Sequence, residues 1–326
     1  MSARSNDGSV LNVPYSDNPV AAMDYPDRMA VQVQTQTNQL ETKLEVLVWV
    51  LFAAHLIAQP IYSLLPKNLE MAGTLFIVVT STAFAFTHLF VSRGSRAAVT
   101  MLVLCFTVAG SFEMLSVQTG FPYGWYSYSE KLGPGLAGVP FLVPLCWQMM
   151  AWNAASVAAL ITPKRWPKAT IIPVAALALT AWDVFLDPQM VRAGLWTWAR
   201  QGEYVGIPLE NYLGWLLTAL ILFAAFSRLN GVGDGSRDEL QTNRGANSRL
   251  TWFAVLPVLS YVWTWFGSSV VNLFWWGQPI VAVAGFVAMG VFALPAIQVL
   301  IGSGLVSGLI LGLNSGLNSG LNSRRP

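Results

Sequence analysis

The stretch T-A-W-D-V-F-L-D-P-Q-M-V-R-A-G-L-W-T-W-A-R-Q-G-E-Y-V-G-I-P-L-E-N-Y-L-G-W, residues 180–215, begins inside one strongly apolar run and ends inside another. Between them it crowds Asp183, Asp187, Glu203 and Glu210 with two arginines and four tryptophans. Asp183 and Asp187 are four apart, so on a helix they share one face. Pro188 predicts a helix end at Asp187, because the residue before a proline is pushed out of the helical region. Carboxylates at the end of an apolar helix are costly and demand a reason. The stretch therefore predicts one wall of a site, held by a helical scaffold.

Composition decides what the scaffold is. Of 326 residues, 54% are hydrophobic and only 10% charged, and the mean hydropathy is +0.52. A soluble domain carries roughly a quarter charged residues. The chain thus reads as an all-α polytopic membrane bundle. Apolar runs near 44–65, 71–91, 97–118, 138–161, 169–187, 209–228, 252–275 and 280–301 each approach the ~20 residues a crossing needs. Eight spans follow. Residues 1–43 are polar and read as a disordered tail without a signal-peptide core. Residues 44–301 form the bundle. From residue 302 a Gly-Leu-Asn-Ser low-complexity tail runs to 326, with glycine every fourth residue from Gly304 to Gly320. Fourteen of the 18 lysines and arginines fall on the N-terminal side of an eight-span alternation. Both termini are then expected in the cytoplasm, in a cell-membrane protein.

This topology gathers polar groups at the outer face. Glu113 lies about one turn from the outer end of the third span, and Gly120-Phe-Pro-Tyr-Gly-Trp-Tyr-Ser-Tyr128 follows it. Asp183 and Asp187 close the fifth span, and Glu210 with Asn211 opens the sixth. Two nearby carboxyls share a proton, or one pairs with Arg192 or Arg200. Asp187 reads equally as a cap on its turn, and Glu210 as a first-turn acid countering the helix dipole. Asn211 is a buried amide that needs partners. Tyr123, Trp125, Tyr126, Trp182 and Trp196 belong to a dense aromatic set. Such rings serve either as an interfacial belt or as the wall of a pocket that stabilises a cation. His55 and His88 stand alone and read as satisfied core residues. Cys105 and Cys146 sit in apolar runs and form no disulfide framework or zinc spacing.

Other classes are excluded by what is missing. All five lysines lie at or beyond span ends, which argues against a retinal Schiff base. No phosphate-binding glycine loop, Asp-rich diphosphate motif or histidine box is present, so no metal site or cofactor is expected. A net charge of +2 gives no reason to expect nucleic acid.

The run G-x-F-P-Y-G-W-Y-S-Y…L-G-P-x-L-x-G-V-P-F-L-V-P-L-x-W, residues 120–147, resembles the CruF-type membrane carotenoid hydratases, the bisanhydrobacterioruberin hydratase family. So does W-D-V-F-L-D-P…G-L-W-T-W…G-E-Y-V-G-I-P-L-E-N-Y-L-G-W, residues 182–215. The likeness covers roughly residues 45–300. Leu209-Glu210 departs from the Pro-x-Asn pattern, which weakens Glu210 relative to Asn211. The resemblance implies hydration of the terminal 1,2 double bond of an acyclic (ψ) carotenoid end, with no redox cofactor. It implies membrane lipid, an acyclic or monocyclic carotenoid and other carotenoid-pathway enzymes as partners. The chemistry needs a neutral acid, a cation-stabilising wall and a placed water. On that reading Asp183 is the acid, Asp187 tunes it, and Glu113 orients or deprotonates the water. Glu210 is a further candidate acid. Tyr123, Trp125, Tyr126, Trp182, Trp196 and Asn211 bind the substrate or the water. A carotenoid cyclase begins with the same protonation, and a membrane transporter or carotenoid-binding protein remains a non-enzymatic alternative.

Overall fold

The computed structural model describes residues 25–230 and 248–305. The C-terminal Gly-Leu-Asn-Ser repeats lie outside the described residues. The chain divides between Val46 and Leu47, and the bundle is built from residue 47 onward. Its helices are α1 (Tyr25–Tyr62), α2 (Glu70–Leu104), α3 (Gly110–Thr119), α4 (Leu142–Ile161), α5 (Ile171–Arg192), α6 (Leu209–Asn230), α7 (Ser248–Phe274) and α8 (Pro279–Gly302). Residues 25–43, expected as part of an irregular tail, are helical in α1. Each of the eight apolar runs overlaps a helix. Among the described residues, six helical stretches are long and apolar enough to cross a membrane, so the chain reads as an integral membrane protein.

One of those stretches, Glu70–Thr119, is 50 residues long and comprises α2, a π-turn at Cys105–Ala109 and α3. At about 1.5 Å per residue it would extend more than twice the thickness of a hydrocarbon core if it were straight. It is not straight. Gly94 adopts φ 83° and ψ 169°, outside the helical region. Thr82 Oγ1 donates to the Leu145 carbonyl at 2.9 Å, and Cys105 Sγ approaches Gln148 Oε1 at 3.6 Å. Residues on both sides of Gly94 thus touch the same turn of α4, so the chain folds back there. Glycine carries this conformation without the steric cost a Cβ imposes.

Helix α4 is the most enclosed element, and its neighbour α5 buries just over half of its residues. Ala151, Ala154, Ala155 and Ala158 of α4, and Ala175, Ala176 and Ala178 of α5, are buried. Small side chains let helix backbones approach closely, which is how packing is won where lipid supplies no hydrophobic drive. On α8, Gly285 faces the Phe185 ring of α5, and an added Cβ would collide with it.

The expected stop at Asp187 is corrected by the structure: α5 continues through Pro188 to Arg192. A proline removes one helical N–H, which orphans the carbonyl four residues earlier. Here that carbonyl belongs to Val184, and the Tyr204 hydroxyl donates to it at 3.1 Å. The same device recurs in α7. Pro257 frees the Phe253 carbonyl, and His88 Nε2–H donates to it at 2.8 Å. His88 Nδ1 accepts from Trp152 Nε1 at 3.0 Å, so both ring nitrogens are used. His88→Phe is expected to lower stability by about 1–3 kcal/mol, the cost of an unpaired buried polar group. Adding Pro257→Ala restores the helical N–H and is expected to recover part of that loss. Thermal unfolding of the two single variants and the double variant in detergent checks this.

Candidate active site

The two loop segments that stood out in the sequence meet above the bundle. β1 (Tyr126–Tyr128) pairs antiparallel with β4 (Trp196–Trp198), in the register Tyr126↔Trp198, Ser127↔Thr197 and Tyr128↔Trp196. A second small ribbon joins β2 (Gly135–Leu136) to β3 (Val139–Pro140). The first loop starts where Gly120, at φ 80°, ends α3 in the left-handed cap that glycine favours. Ser116 then fixes it: its Oγ accepts from Tyr123 N and donates to the Gly124 carbonyl, both at 3.1 Å. Gly214 of α6 lets the Pro122–Tyr123 backbone and ring pack directly onto the helix, where a Cβ would collide.

Under this ribbon lie two carboxylate clusters. In the first, Asp183 is 0% exposed and Asp187 2%. Asn211, on α6, sends Nδ2 to Asp183 Oδ2 at 2.9 Å and also to Asp187 Oδ2. Trp196 Nε1 donates to Asp187 Oδ1 at 3.1 Å. Asp183 Oδ1 is buried and has no hydrogen-bond partner. The i, i+4 spacing on α5 places both acids on the α6-facing side, and one amide reads both. Arg192, weighed as an ion-pair partner, instead lies 4.6 Å over the Trp276 ring.

The second cluster surrounds Glu113, which is 3% exposed. Its Oε2 accepts from the Tyr126 hydroxyl and from the Tyr128 hydroxyl, the latter at 2.8 Å, and its Oε1 from Trp147 Nε1 at 3.1 Å. Tyr128 meets Trp196 edge-on, with ring centroids 5.6 Å apart. One pair of rings therefore links Glu113 to Asp187. Tyr123 lies between the clusters and bonds Thr218 Oγ1 at 2.7 Å. Burial, and next the field of Glu113, hold the Tyr123 phenol well above its usual range, with smaller contributions from Asp183 and Asp187. Burial and the Glu113 charge likewise push Tyr126 and Tyr128 well up, which keeps both phenols as donors. Trp147 stacks on Trp215 at 4.1 Å, and Trp182 meets Trp215 edge-on at 6.2 Å.

Two expected site residues stand apart from this core. Glu210 is exposed at the first turn of α6, with its carboxylate against Gly124. Trp125 is 53% exposed, and its indole lies over Gly120. Glu203, nearby, accepts from Leu209 N at 3.2 Å and so caps α6. Glu210→Gln is accordingly expected to leave activity within about twofold of the parent, read by product formation in membranes; surface substitutions usually cost little. Sequence reasoning missed Trp147 and Thr218 as site members and placed Tyr128 and Trp215 only in the outer-face aromatic set. An indole N–H inside an apolar helix is a signal that an acceptor must exist, but the acceptor for Trp147 lies 34 residues away.

A cavity of about 330 Å³ is lined by Trp182 and Trp196, but not by Glu113, Asp183 or Asp187 themselves. Trp182, Leu186 and Trp196 form its wall toward the acids, and α1, α2, α4 and α7 supply the rest. Leu64, Phe266 and Trp275 on its lining are exposed, at 67%, 54% and 55%, so it opens onto an apolar part of the surface.

A buried acid pair, an aromatic wall and a greasy cavity suit chemistry on a lipophilic substrate, and the family comparison agrees. A family model described as carotenoid biosynthesis protein matches residues 72–292. The chain belongs to this carotenoid biosynthesis family. It is also similar to the bisanhydrobacterioruberin hydratase of Haloarcula japonica, 33% identical over 133 residues. That match covers 40% of this chain and 45% of the relative's length. No solved structure matches the chain. For this family member, the family-model match at residues 72–292 includes both loops of the ribbon and Glu113, Asp183 and Asp187.

Proposed function

We propose that this protein is a carotenoid hydratase that adds water across the terminal 1,2 double bond of an acyclic (ψ) end group. The observation that carries the reading is Asp183. It is fully buried, held with Asp187 on one amide, and keeps one carboxyl oxygen unengaged beside a tryptophan wall. Two carboxyls this close avoid repulsion by holding a proton between them. Asp183 gives that proton to the less substituted alkene carbon. Asp187, anchored by Trp196 and Asn211, remains the charged partner and stabilises the tertiary cation that forms at the neighbouring carbon. The Trp182 face adds cation–π stabilisation, worth ~2 kcal/mol or more when desolvated. Glu113 spends its oxygens on three donors and acts as a fixed negative charge, not as the base for the water. Water captures the cation and yields a tertiary 1-hydroxy product, without redox change.

The cavity volume is at the low end of the ~300–1,000 Å³ typical of small-molecule sites. It takes an end group, while the polyene extends into lipid. The eight-helix reading, with both termini cytoplasmic, places this site at the outer leaflet of the cell membrane. The fold-back at Gly94 and the lysine and arginine asymmetry support it. Expression in a host that makes lycopene tests the activity, with γ-carotene and C50 precursors as further substrates. Hydration gives pigments heavier by one water per end. Pigments of unchanged mass with ring ends point to the cyclase instead, and unaltered pigment with normal protein levels rejects catalysis.

A further inference from the structure

Far from the carboxylates along the sequence, a second buried polar cluster faces the same cavity. His55 and Gln59 of α1, Ser81 of α2, Asn153 of α4 and Thr264 of α7 all line it. Ser260, also on α7, lies just behind them and is fully buried. The hydrogen bonds have a definite direction. Gln59 Nε2 donates to Thr264 Oγ1 at 3.0 Å and lies 3.2 Å from His55 Nε2, so that ring nitrogen is the acceptor. His55 Nδ1–H then donates to Ser81 Oγ at 2.5 Å. Asn153 Nδ2 donates to Ser260 Oγ at 3.1 Å. The Ser260 hydroxyl shares that one ring lone pair with Gln59, donating to His55 Nε2 at 2.9 Å. Among the fully buried atoms of this cluster, this leaves one open acceptor, Asn153 Oδ1, on a side chain 2% exposed at the cavity wall. A second lone pair on Ser260 Oγ is also free.

The groups first expected to hold water already carry other hydrogen bonds. Glu113 is met by three donors, and Asn211 Nδ2 is shared by two carboxyls. A buried acceptor left open beside a cavity costs free energy, so it calls for a small O–H donor. Resting on the hydratase reading, we infer that Asn153 Oδ1 and Ser260 Oγ hold the water that captures the cation, and that Ser260 passes its proton to His55. The water donates one O–H to each oxygen and turns a lone pair to the cavity. Its oxygen forms the new C–O bond. The proton it sheds goes to Ser260 Oγ as the Ser260 proton moves to His55 Nε2. The imidazolium and the Asp183 carboxylate are then neutralised by proton return, and the net change is addition of one water to one double bond. Asn153 touches the reacting water; Ser260 and His55 act through it.

The test uses membranes holding the full-length protein, lycopene and D2O. Asn153→Leu is expected to cut hydration about 10²-fold, in the range for a lost proton-transfer partner. Protonation by the acid pair continues, so recovered lycopene carries deuterium at the terminal alkene. Ser260→Ala, a smaller change in volume, is expected to give the same split of exchange without hydration. Parental hydration by either variant overturns the inference, and so does loss of exchange together with hydration at normal protein levels. A defect confined to substrates that already carry a hydroxyl also overturns it, because the cluster then binds a substrate oxygen and not water. If the parent protein neither hydrates nor exchanges, the hydratase reading itself falls.

Discussion

Asp183→Asn is expected to reduce hydration by about 10²–10⁴-fold, the usual contribution of a general acid, while the protein accumulates normally. Asparagine matches the carboxyl in shape. Its oxygen still accepts from Asn211, which donates at 2.9 Å in the parent. Its amide takes the place of Oδ1, and the change removes one member of the close carboxyl pair and with it their repulsion. Stability is therefore expected to hold or rise as activity falls, the exchange common at strained active sites. Deuterium exchange into recovered substrate vanishes along with hydration, which separates this variant from Asn153→Leu. Pigment analysis by chromatography and mass, beside a thermal unfolding curve, checks both halves. Undiminished 1-hydroxy product would remove Asp183 from the acid role.

What made Asp183 visible in the sequence was local: two acids four apart at the end of an apolar run, where solvation is poor and a helix fixes their common face. Asn211 was visible for a similar reason, as an amide opening an apolar helix. The apolar runs located the helices because length and hydropathy are properties of each segment alone. The partners were hidden because they depend on which segments meet. Trp147 finds Glu113, His88 finds the carbonyl freed by Pro257, and His55 finds serines on two other helices; none of these pairs has a sequence spacing that implies contact. His88 does prove a satisfied core histidine, whereas His55 has satisfied nitrogens and yet faces the cavity. Glu210 shows a different limit. An acid in a first helical turn looks the same in sequence whether it is catalytic or merely compensates the dipole, and its exposure is visible only in three dimensions. The helix stop at Pro188 was misplaced because the hydroxyl that replaces the missing N–H comes from Tyr204, sixteen positions on and outside the helix.

The second large effect concerns Glu113. Glu113→Leu leaves the Tyr126 hydroxyl, the Tyr128 hydroxyl and the Trp147 N–H buried without an acceptor. At about 1–3 kcal/mol for each stranded group, the loss is on the order of 3–9 kcal/mol. Whole-domain stability is only about 5–15 kcal/mol, so the variant is expected to accumulate poorly or melt far below the parent. Removing the stranded donors should reverse much of this, since replacing both members of a buried pair by apolar groups is nearly neutral. Glu113→Leu with Tyr126→Phe and Tyr128→Phe is therefore expected to recover most of the thermal stability and leave only Trp147 unpaired. Activity is expected to behave differently. If the fixed charge of Glu113 helps hold the developing cation, the refolded triple variant stays at least about tenfold slower than the parent, since one lost electrostatic stabiliser of this kind costs several kcal/mol of barrier. If Glu113 serves only to hold the two tyrosines and the ribbon above them, stability and turnover return together. Unfolding curves and product formation measured on the same membranes divide these outcomes, and recovery of both would confine the chemistry to the Asp183–Asp187 pair and its tryptophan wall.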